Sequence, residues 1–233
     1  MIRTVGETGS TNADMAALAL AGAAEGDWLR AERQSAGRGR QGRQWASEAG
    51  NLYASTLVRL RPSDPPAPGL GFVAAVALHD AVAAYIGEGR AVLKWPNDVL
   101  VEGAKLSGIL LERAGDAVIA GFGVNLAHHP DDLDRPATSL CALGSAVAPG
   151  DFLETLVESL RRRLSQWRGE GFGAIREVWM VRAHPVGSAL SVRQPEGAAL
   201  QGLFDGIDSD GALRLRLADG SRHVMHAGDI FLI

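Results

Sequence analysis

Apolar residues recur at helical spacing in NADMAALALAGAAEG, directly behind Ser10 and Thr11, and Gly22 and Gly26 lie near the end of the run. This pattern predicts a helix with a hydroxyl residue as its N-cap. WLRAERQ (28–34) and the alternating, β-rich NLYASTLVRL (51–60) read as strands, with SAGRGRQGR as the loop between them. A proline-rich turn, RPSDPPAPG, leads to LGFVAAVALHDAVAAYI (70–86), a buried helix by its length and alanine content. Four short β-like segments follow: AVLKW, DVLVEG, KLSGILLE and AVIAGFGVNL, turned at Pro96-Asn97-Asp98, Gly103 and Gly115-Asp116. DFLETLVESLRRRLSQW (151–167) is an amphipathic helix capped by Asp151, and AIREVWMVRA (174–183) continues helical. After His184-Pro185 the texture changes to short strands divided by glycine turns, which is the signature of a small β-barrel of SH3-like size. The expected organisation is a large α+β domain over residues 1–184 and a small β domain over residues 185–233.

Composition narrows the function. Apolar residues make up 46% of the 233 and charged residues 21%, ordinary values for a soluble globular chain. The net charge is −4, so a broad nucleic-acid surface is not expected and any basic patch is local, which favours a small anionic ligand. The single cysteine, Cys141, can form neither an internal disulfide nor a Cys-rich zinc site. The N-terminal MIRTVGETGSTN lacks the apolar core of a signal peptide. The longest apolar stretch, from Gly71 to Ile86, is interrupted by His79 and Asp80 and falls short of the roughly 20 residues of a membrane span. A cytoplasmic protein without a membrane segment is expected.

GRGRQGRQW (37–45) concentrates three arginines and three glycines. Gly37, Gly39 and Gly42 satisfy G-x-G-x-x-G, and Asp64 follows about 20 residues later, as a dinucleotide site requires. That motif must open a helix, however, and RQWASEAGN has no helical period. A disordered, repetitive RGG-type segment fits poorly too, because the stretch is a single copy between two strands. A solvated hairpin would leave the ordering cost of three glycines without return. The remaining reading is a loop that folds over an anion: glycine N–H groups point inward, and Arg38, Arg40 and Arg43 offer planar forks to carboxylate or phosphate oxygens. Lys94 and Lys105 stand in otherwise apolar strands, where lysine is rare without a partner. Ser107 and Gly108 leave space beside Lys105. Asn97 and Asp98 set an amide and a carboxylate near Lys94, and Asn125 ends the glycine-containing GFGVNL.

GRGRQGRQW, KWPND and KLSGILLE in that order, with the early Ser10-Thr11-Asn12, Gln34, GFGVNL and the small terminal β domain, resemble the biotin protein ligases over essentially the whole chain. The resemblance implies a mixed β-sheet with helices on one side, as in class II aminoacyl-tRNA synthetases, followed by the SH3-like domain. It implies ATP-dependent activation of biotin to biotinyl-5'-AMP, assisted by Mg²⁺, and transfer of biotin to a lysine of a biotin carboxyl carrier protein. By the same resemblance Ser10, Thr11, Asn12 and Gln34 hold the ureido ring. Arg38, Gly39 and Arg40 cover biotin and the acyl phosphate, with Gly108 beside them. Lys105 meets the reacting carboxylate and α-phosphate and, with Arg40, is the catalytic pair; Arg43, Trp45, Lys94, Asn97 and Asn125 surround the nucleotide. Asp98 belongs to the motif without an assigned role, and no metal ligands are named. The motifs begin at residue 10, so no DNA-binding domain and no DNA partner are expected; a homodimer is possible within the family.

Two rivals remain at this level. A lipoate-protein ligase shares the fold and chemistry, and a non-catalytic biotin-sensing regulator would bind without transferring. Three other signals read as ordinary structure: His128-His129-Pro130-Asp131-Asp132 as a surface loop, Asp208-Ser209-Asp210-Gly211 as a hairpin turn, and Arg161-Arg162-Arg163 as a solvated helix face.

Overall fold

The computed structural model describes residues 1–131, 135–193 and 199–232. The chain begins with β1 (Ile2–Thr8), which the hydrophobic pattern did not predict. It is an edge strand with only Val5 and Thr8 partly covered, so no apolar face marks it. Then come α1 (Thr11–Leu20), β2 (Trp28–Gln34), β3 (Leu52–Arg59) and α2 (Gly69–Ile86). The β-like segments become β4 (Ala91–Lys94), β5 (Asp98–Val101), β6 (Ala104–Ala114) and β7 (Ala117–Val124). These seven strands form one sheet in the order β1-β2-β3-β7-β6-β5-β4. Only β1 and β2 run parallel; every other neighbouring pair is antiparallel.

The period-2 pattern of β3 and β7 sorts the two faces of this sheet. Leu52, Ala54 and Val58, with Val118, Ala120, Phe122 and Val124, point into the main core under α2. Leu57 and Ile119 point the other way and meet Met15 and Ala19 of α1. α2 is long and apolar enough, by length and composition alone, to cross a membrane, yet 78% of it is buried inside the protein. It is covered by α3 (Pro149–Glu170) and α4 (Phe172–Arg182). The expectation of helices on one side describes α2, α3 and α4; α1 lies across the opposite face, where it helps to wall the site described below.

Three local expectations are corrected. Asp151 does not cap α3: the N-cap is Ala148, Pro149 sits at the first helical position, where a missing N–H is harmless, and Asp151 lies in the first turn. α4 is not a continuation of α3, because Gly171 adopts φ +84 and breaks the chain between them. Of the arginine run, Arg161 pairs with exposed Glu158 and Arg162 stays exposed while reaching Asp80, as a solvated face would have it, but Arg163 turns inward to Asp80.

The C-terminal strands β8 (Ala189–Arg193), β9 (Leu200–Ile207), β10 (Leu213–Arg216), β11 (Arg222–Met225) and β12 (Asp229–Leu232) form a second, antiparallel sheet in the order β11-β10-β9-β8-β12. It is not a free bead on a linker. Phe204, Ile207, Leu213 and Ile230 join the same hydrophobic cluster as α2 and α4. Gly211 passes so close to Phe72 that a Cβ there would sit 2.5 Å from the ring, and its carbonyl accepts the Trp95 indole N–H at 3.1 Å. This seam places β12 within reach of the arginine-rich loop.

Candidate functional site

The face of the large sheet away from α2 carries a polar floor. Odd positions of β3 point there, and among them Ser55 is fully buried. Its hydroxyl lies 2.7 Å from Asn12 Oδ1 and 2.8 Å from Thr11 Oγ1. The Asn12 amide donates to the Leu110 carbonyl and to Glu112 at 2.8 Å, and both the backbone N–H and the hydroxyl of Thr11 donate to Gln34 Oε1. Gln34 in turn donates to Ser47. Gly121 makes this packing possible, since a Cβ there would fall 2.0 Å from Asn12 Oδ1. Ser10, buried at the N-terminus of α1, makes no capping hydrogen bond with its side chain, contrary to the capping role its position suggested. Thr11, Asn12 and Gln34 thus belong to one connected network. Ser55, Ser47 and Glu112 complete it, and sequence reasoning missed them. The available signal was Ser55, a small hydroxyl in a strand of mostly apolar residues.

The arginine loop is a tight, irregular hairpin. Arg38 bridges Gln44, the Trp45 N–H bonds the Gly37 carbonyl, and Gly39 N–H bonds the Arg43 carbonyl. A single 3₁₀ turn over Arg40–Gly42 forms its tip, with Gln41 at φ +58 and Gly42 at φ +71. Gly37 is required for a different reason: a Cβ would meet Ser47 Oγ at 2.7 Å. The loop folds back so that Trp45 lies on the sheet, its indole over Gly108 and Gly123, where Cβ atoms would come within 3.1 and 2.5 Å of the ring. Of the three arginines, Arg38 reaches toward Glu112 at 3.9 Å and Arg40 toward Asn97 Oδ1 at 3.4 Å, both loose contacts. Arg43 is tied to Gln41 and to Asp229 of β12. Burial pushes the Asp229 carboxyl up, but Arg43, Arg135 and Arg40 together hold it below the usual carboxylate range.

Beside the indole is a compact charge cluster. Lys94 and Asp98 face each other across the β4–β5 hairpin, and Asp98 also meets Lys105, with N–O distances of 3.4 and 2.7 Å. Burial pulls the Lys94 ammonium below its ordinary value; Asp98 opposes this, and the charges of Arg135 and Lys105 add to it. Lys105 and Gly108 are three residues apart, so a regular strand would send them to opposite faces. The register slips between Val99 and Leu100, leaving Leu106 as an extra residue in β6. That bulge brings the Lys105 ammonium over Gly108, 3.4 Å from where a Cβ would stand, and 5.5 Å from the centre of the Trp45 ring. Asn97 is locked to β6, its amide donating to the Ile109 carbonyl and its own carbonyl accepting the Ile109 N–H.

Asn125 stands at the end of β7, its amide donating to the Thr138 carbonyl at 3.1 Å. It lines a small cleft with Ala46 and Glu48, which adjoins a cavity of about 350 Å³ walled by Arg33, Ser47, Glu48, Ala49 and His128. The structure therefore gathers Lys94, Asn97, Gly108, Lys105, Trp45 and Arg40 on one patch, with Thr11, Asn12 and Gln34 next to it through Ser47 and Glu112. It does not bring Arg43 into that patch. Among the described residues no three His, Cys, Asp or Glu side chains are grouped to hold a metal. In the histidine loop His129 meets Ser139 and Asp131, and Asp132 lies outside the described residues. A clamp of cations beside a polar floor is suited to joining two anionic reactants.

Comparison with known proteins gives a consistent result. The model of the Biotin/lipoate A/B protein ligase family matches residues 10–126, and that of the Biotin protein ligase C terminal domain matches residues 187–233. Biotin--[acetyl-CoA-carboxylase] ligase of Paracoccus denitrificans is 42% identical, over 96% of this chain and 97% of the relative. The protein of the same name from Mycobacterium tuberculosis is 39% identical, over 97% of this chain and 86% of the relative. Among solved structures, a biotin protein ligase from Aquifex aeolicus in complex with biotin and ATP is similar at a TM-score of 0.86 and 25% identity, covering 100% of this chain and 98% of that one.

Proposed function

The chain belongs to the biotin/lipoate A/B protein ligase family, and on that premise we propose that it activates biotin with ATP and transfers it to a lysine of a biotin carboxyl carrier protein. The biotin carboxylate attacks the α-phosphorus, pyrophosphate leaves, and the resulting biotinyl-5'-AMP is attacked by the amine of the acceptor lysine. AMP is the second leaving group.

The observation that carries this reading is the Lys105 ammonium, poised over Gly108 and beside Trp45, with Asp98 holding it from behind. A carboxylate and a phosphate repel each other as they approach. A fixed cation in a site that excludes water lowers that barrier, and the effect grows as charge concentrates in the transition state. Lys105 is a clamp and not a nucleophile, because the acceptor amine arrives on the carrier. Arg38 and Arg40, held only loosely in this state, supply further positive charge from the loop when it closes over biotin. Ser10, Thr11, Asn12 and Gln34 receive the ureido ring, and Trp45, Lys94, Asn97 and Asn125 bound the nucleotide. Arg43 was assigned there too, but here its contact with Asp229 lets residues 185–233 brace the loop that residues 1–184 use for chemistry. No cluster of carboxylates or histidines among the described residues would hold Mg²⁺, which would be carried mainly by the nucleotide and would offset the charge of the leaving pyrophosphate.

The test is the intact mass of a carrier domain after incubation with the protein, biotin, ATP and Mg²⁺, alongside ATP–pyrophosphate exchange with biotin and with lipoate. Addition of one biotinyl group and biotin-specific exchange are expected. Exchange with lipoate alone would reassign the substrate, and biotin binding without transfer would make the protein a sensor.

A further inference from the structure

Asn51 has no part in the chemistry above, yet its carboxamide is among the most fully engaged polar groups in the molecule. It stands just before β3 and is 6% exposed. Its Oδ1 accepts three consecutive backbone N–H groups, those of Leu126, Ala127 and His128, at 2.9, 2.9 and 3.1 Å. Its Nδ2 donates to the His128 carbonyl at 3.0 Å. Here the chain has just left the sheet, since Val124 is the last residue of β7 paired with β3. The three N–H groups have lost their ladder partners, and at the buried Leu126 water cannot replace the lost bond. Gly50, at φ +100, brings Asn51 to this position and passes within 3.0 Å of the Ala127 side chain, measured from a Cβ placed on it.

The segment that Asn51 holds begins one residue after Asn125. On its other flank Asn125 is held by its N–H to the Leu106 carbonyl, its carbonyl to the Leu140 N–H and its amide to Thr138. On the following flank the Leu126 carbonyl accepts the Cys141 N–H, and Asn51 takes the three N–H groups of the turn. Two residues on from Asn51, the Tyr53 hydroxyl donates to the Glu48 carbonyl at the end of the arginine loop.

We infer that Asn51 is a positioning residue for the nucleotide half of the site: it sets the turn 126–128 and thereby the placement of Asn125. This rests on the assignment of Asn125 to the nucleotide, so the experiment tests the two separately. ATP–pyrophosphate exchange is followed in Asn51→Ala, Asn51→Asp, Asn125→Ala and the double Ala variant. Loss of the triple acceptor raises KM for ATP about tenfold in Asn51→Ala, with KM for biotin within about twofold of the parent. Asn51→Asp keeps the acceptor for the three N–H groups but sets a carboxylate oxygen against the His128 carbonyl, so it recovers part of the loss. Because both residues act through one placement, the double variant is no worse than Asn125→Ala alone. An unchanged KM for ATP in Asn51→Ala, equal rises for ATP and biotin, or additive effects in the double variant each overturn the inference. An unchanged KM in Asn125→Ala instead overturns the nucleotide assignment, and the inference with it. If Asn51→Ala does not fold, the comparison is made with Asn51→Asp, whose KM for ATP must rise above the parent while that for biotin does not.

Discussion

Two carboxylates on opposite sides of the large sheet are equally buried, each 8% exposed, and each is surrounded by cations. Asp80, on α2, binds Arg182, Arg163 and Arg162 at 2.5, 2.7 and 2.9 Å. The guanidinium groups are further spent on neighbours: Arg163 also donates to Gln166, and Arg182 to the Val76 carbonyl. Asp98 binds two lysines, Lys105 at 2.7 Å and Lys94 at 3.4 Å. Lys105 remains 27% exposed, its ammonium over Gly108. Arg163 and Arg182, 14% and 19% exposed, close on one carboxylate and clamp α2, α3 and α4 together with little capacity left for a ligand, while Arg162, 57% exposed, adds its charge from the solvent side. An ammonium anchored at one point and open elsewhere keeps donors for an incoming anion. Positive charge near a buried acid therefore does not identify a site; residual hydrogen-bonding capacity and access do.

That contrast is tested most sharply at Lys105. Lys105→Ala should lower biotin-dependent ATP–pyrophosphate exchange by about 10²–10³-fold, the scale for loss of one transition-state electrostatic partner, with little change in thermal stability. Normal exchange would place Lys105 with the structural cations. Asp80→Ala should do the reverse. Stranding Arg163 and Arg182 around an uncompensated site should cost about 3–5 kcal/mol in urea unfolding, while KM for ATP and biotin in the folded fraction stays at the parent value. A stable variant with altered KM would show that the Asp80 cluster communicates with the site after all.

The smallest expected effect lies at the seam between the two regions. His184 is buried, its ring 4.4 Å from that of Phe204, and burial together with the Lys94 charge depresses its pKa to about 4. In the unfolded chain the imidazole takes up its proton near the ordinary 6.5, so between these values the unfolded state binds more protons. Stability from keeping His184 neutral is complete above about pH 6.5 and is lost as pH falls through about 4, amounting to at most about 3 kcal/mol. His184→Gln should flatten the slope of unfolding free energy against pH across that window; an unchanged slope would mean that the imidazole is not held neutral.

Much of the architecture was legible along the chain because periodicity is local. β2 coincides with WLRAERQ, α2 with the alanine-rich run apart from one residue at its start, and β3 to β7 with the alternating segments. β1 escaped detection for the same reason, since an exposed edge strand has no buried face to set a period. The site was legible in part. The loop glycines and arginines, KWPND and Lys105 announce themselves by residue types that strands and loops do not need for folding. Partners supplied from far along the chain did not: Ser55 beneath Asn12, Glu112 between Asn12 and Arg38, and Asp229 reaching Arg43 from the second sheet.

By itself the sequence determined which segments become strands and helices, the α+β class with a small β domain after it, and the residues bearing the charge. Only the tertiary structure decided that Lys105 and Gly108 share a face, through an extra residue that slips the β5–β6 register, and that Arg163 turns inward to Asp80. Hydrophobic period is a property of neighbours in the chain, whereas register, bulges and the pairing of charges across the fold are set by how whole elements pack.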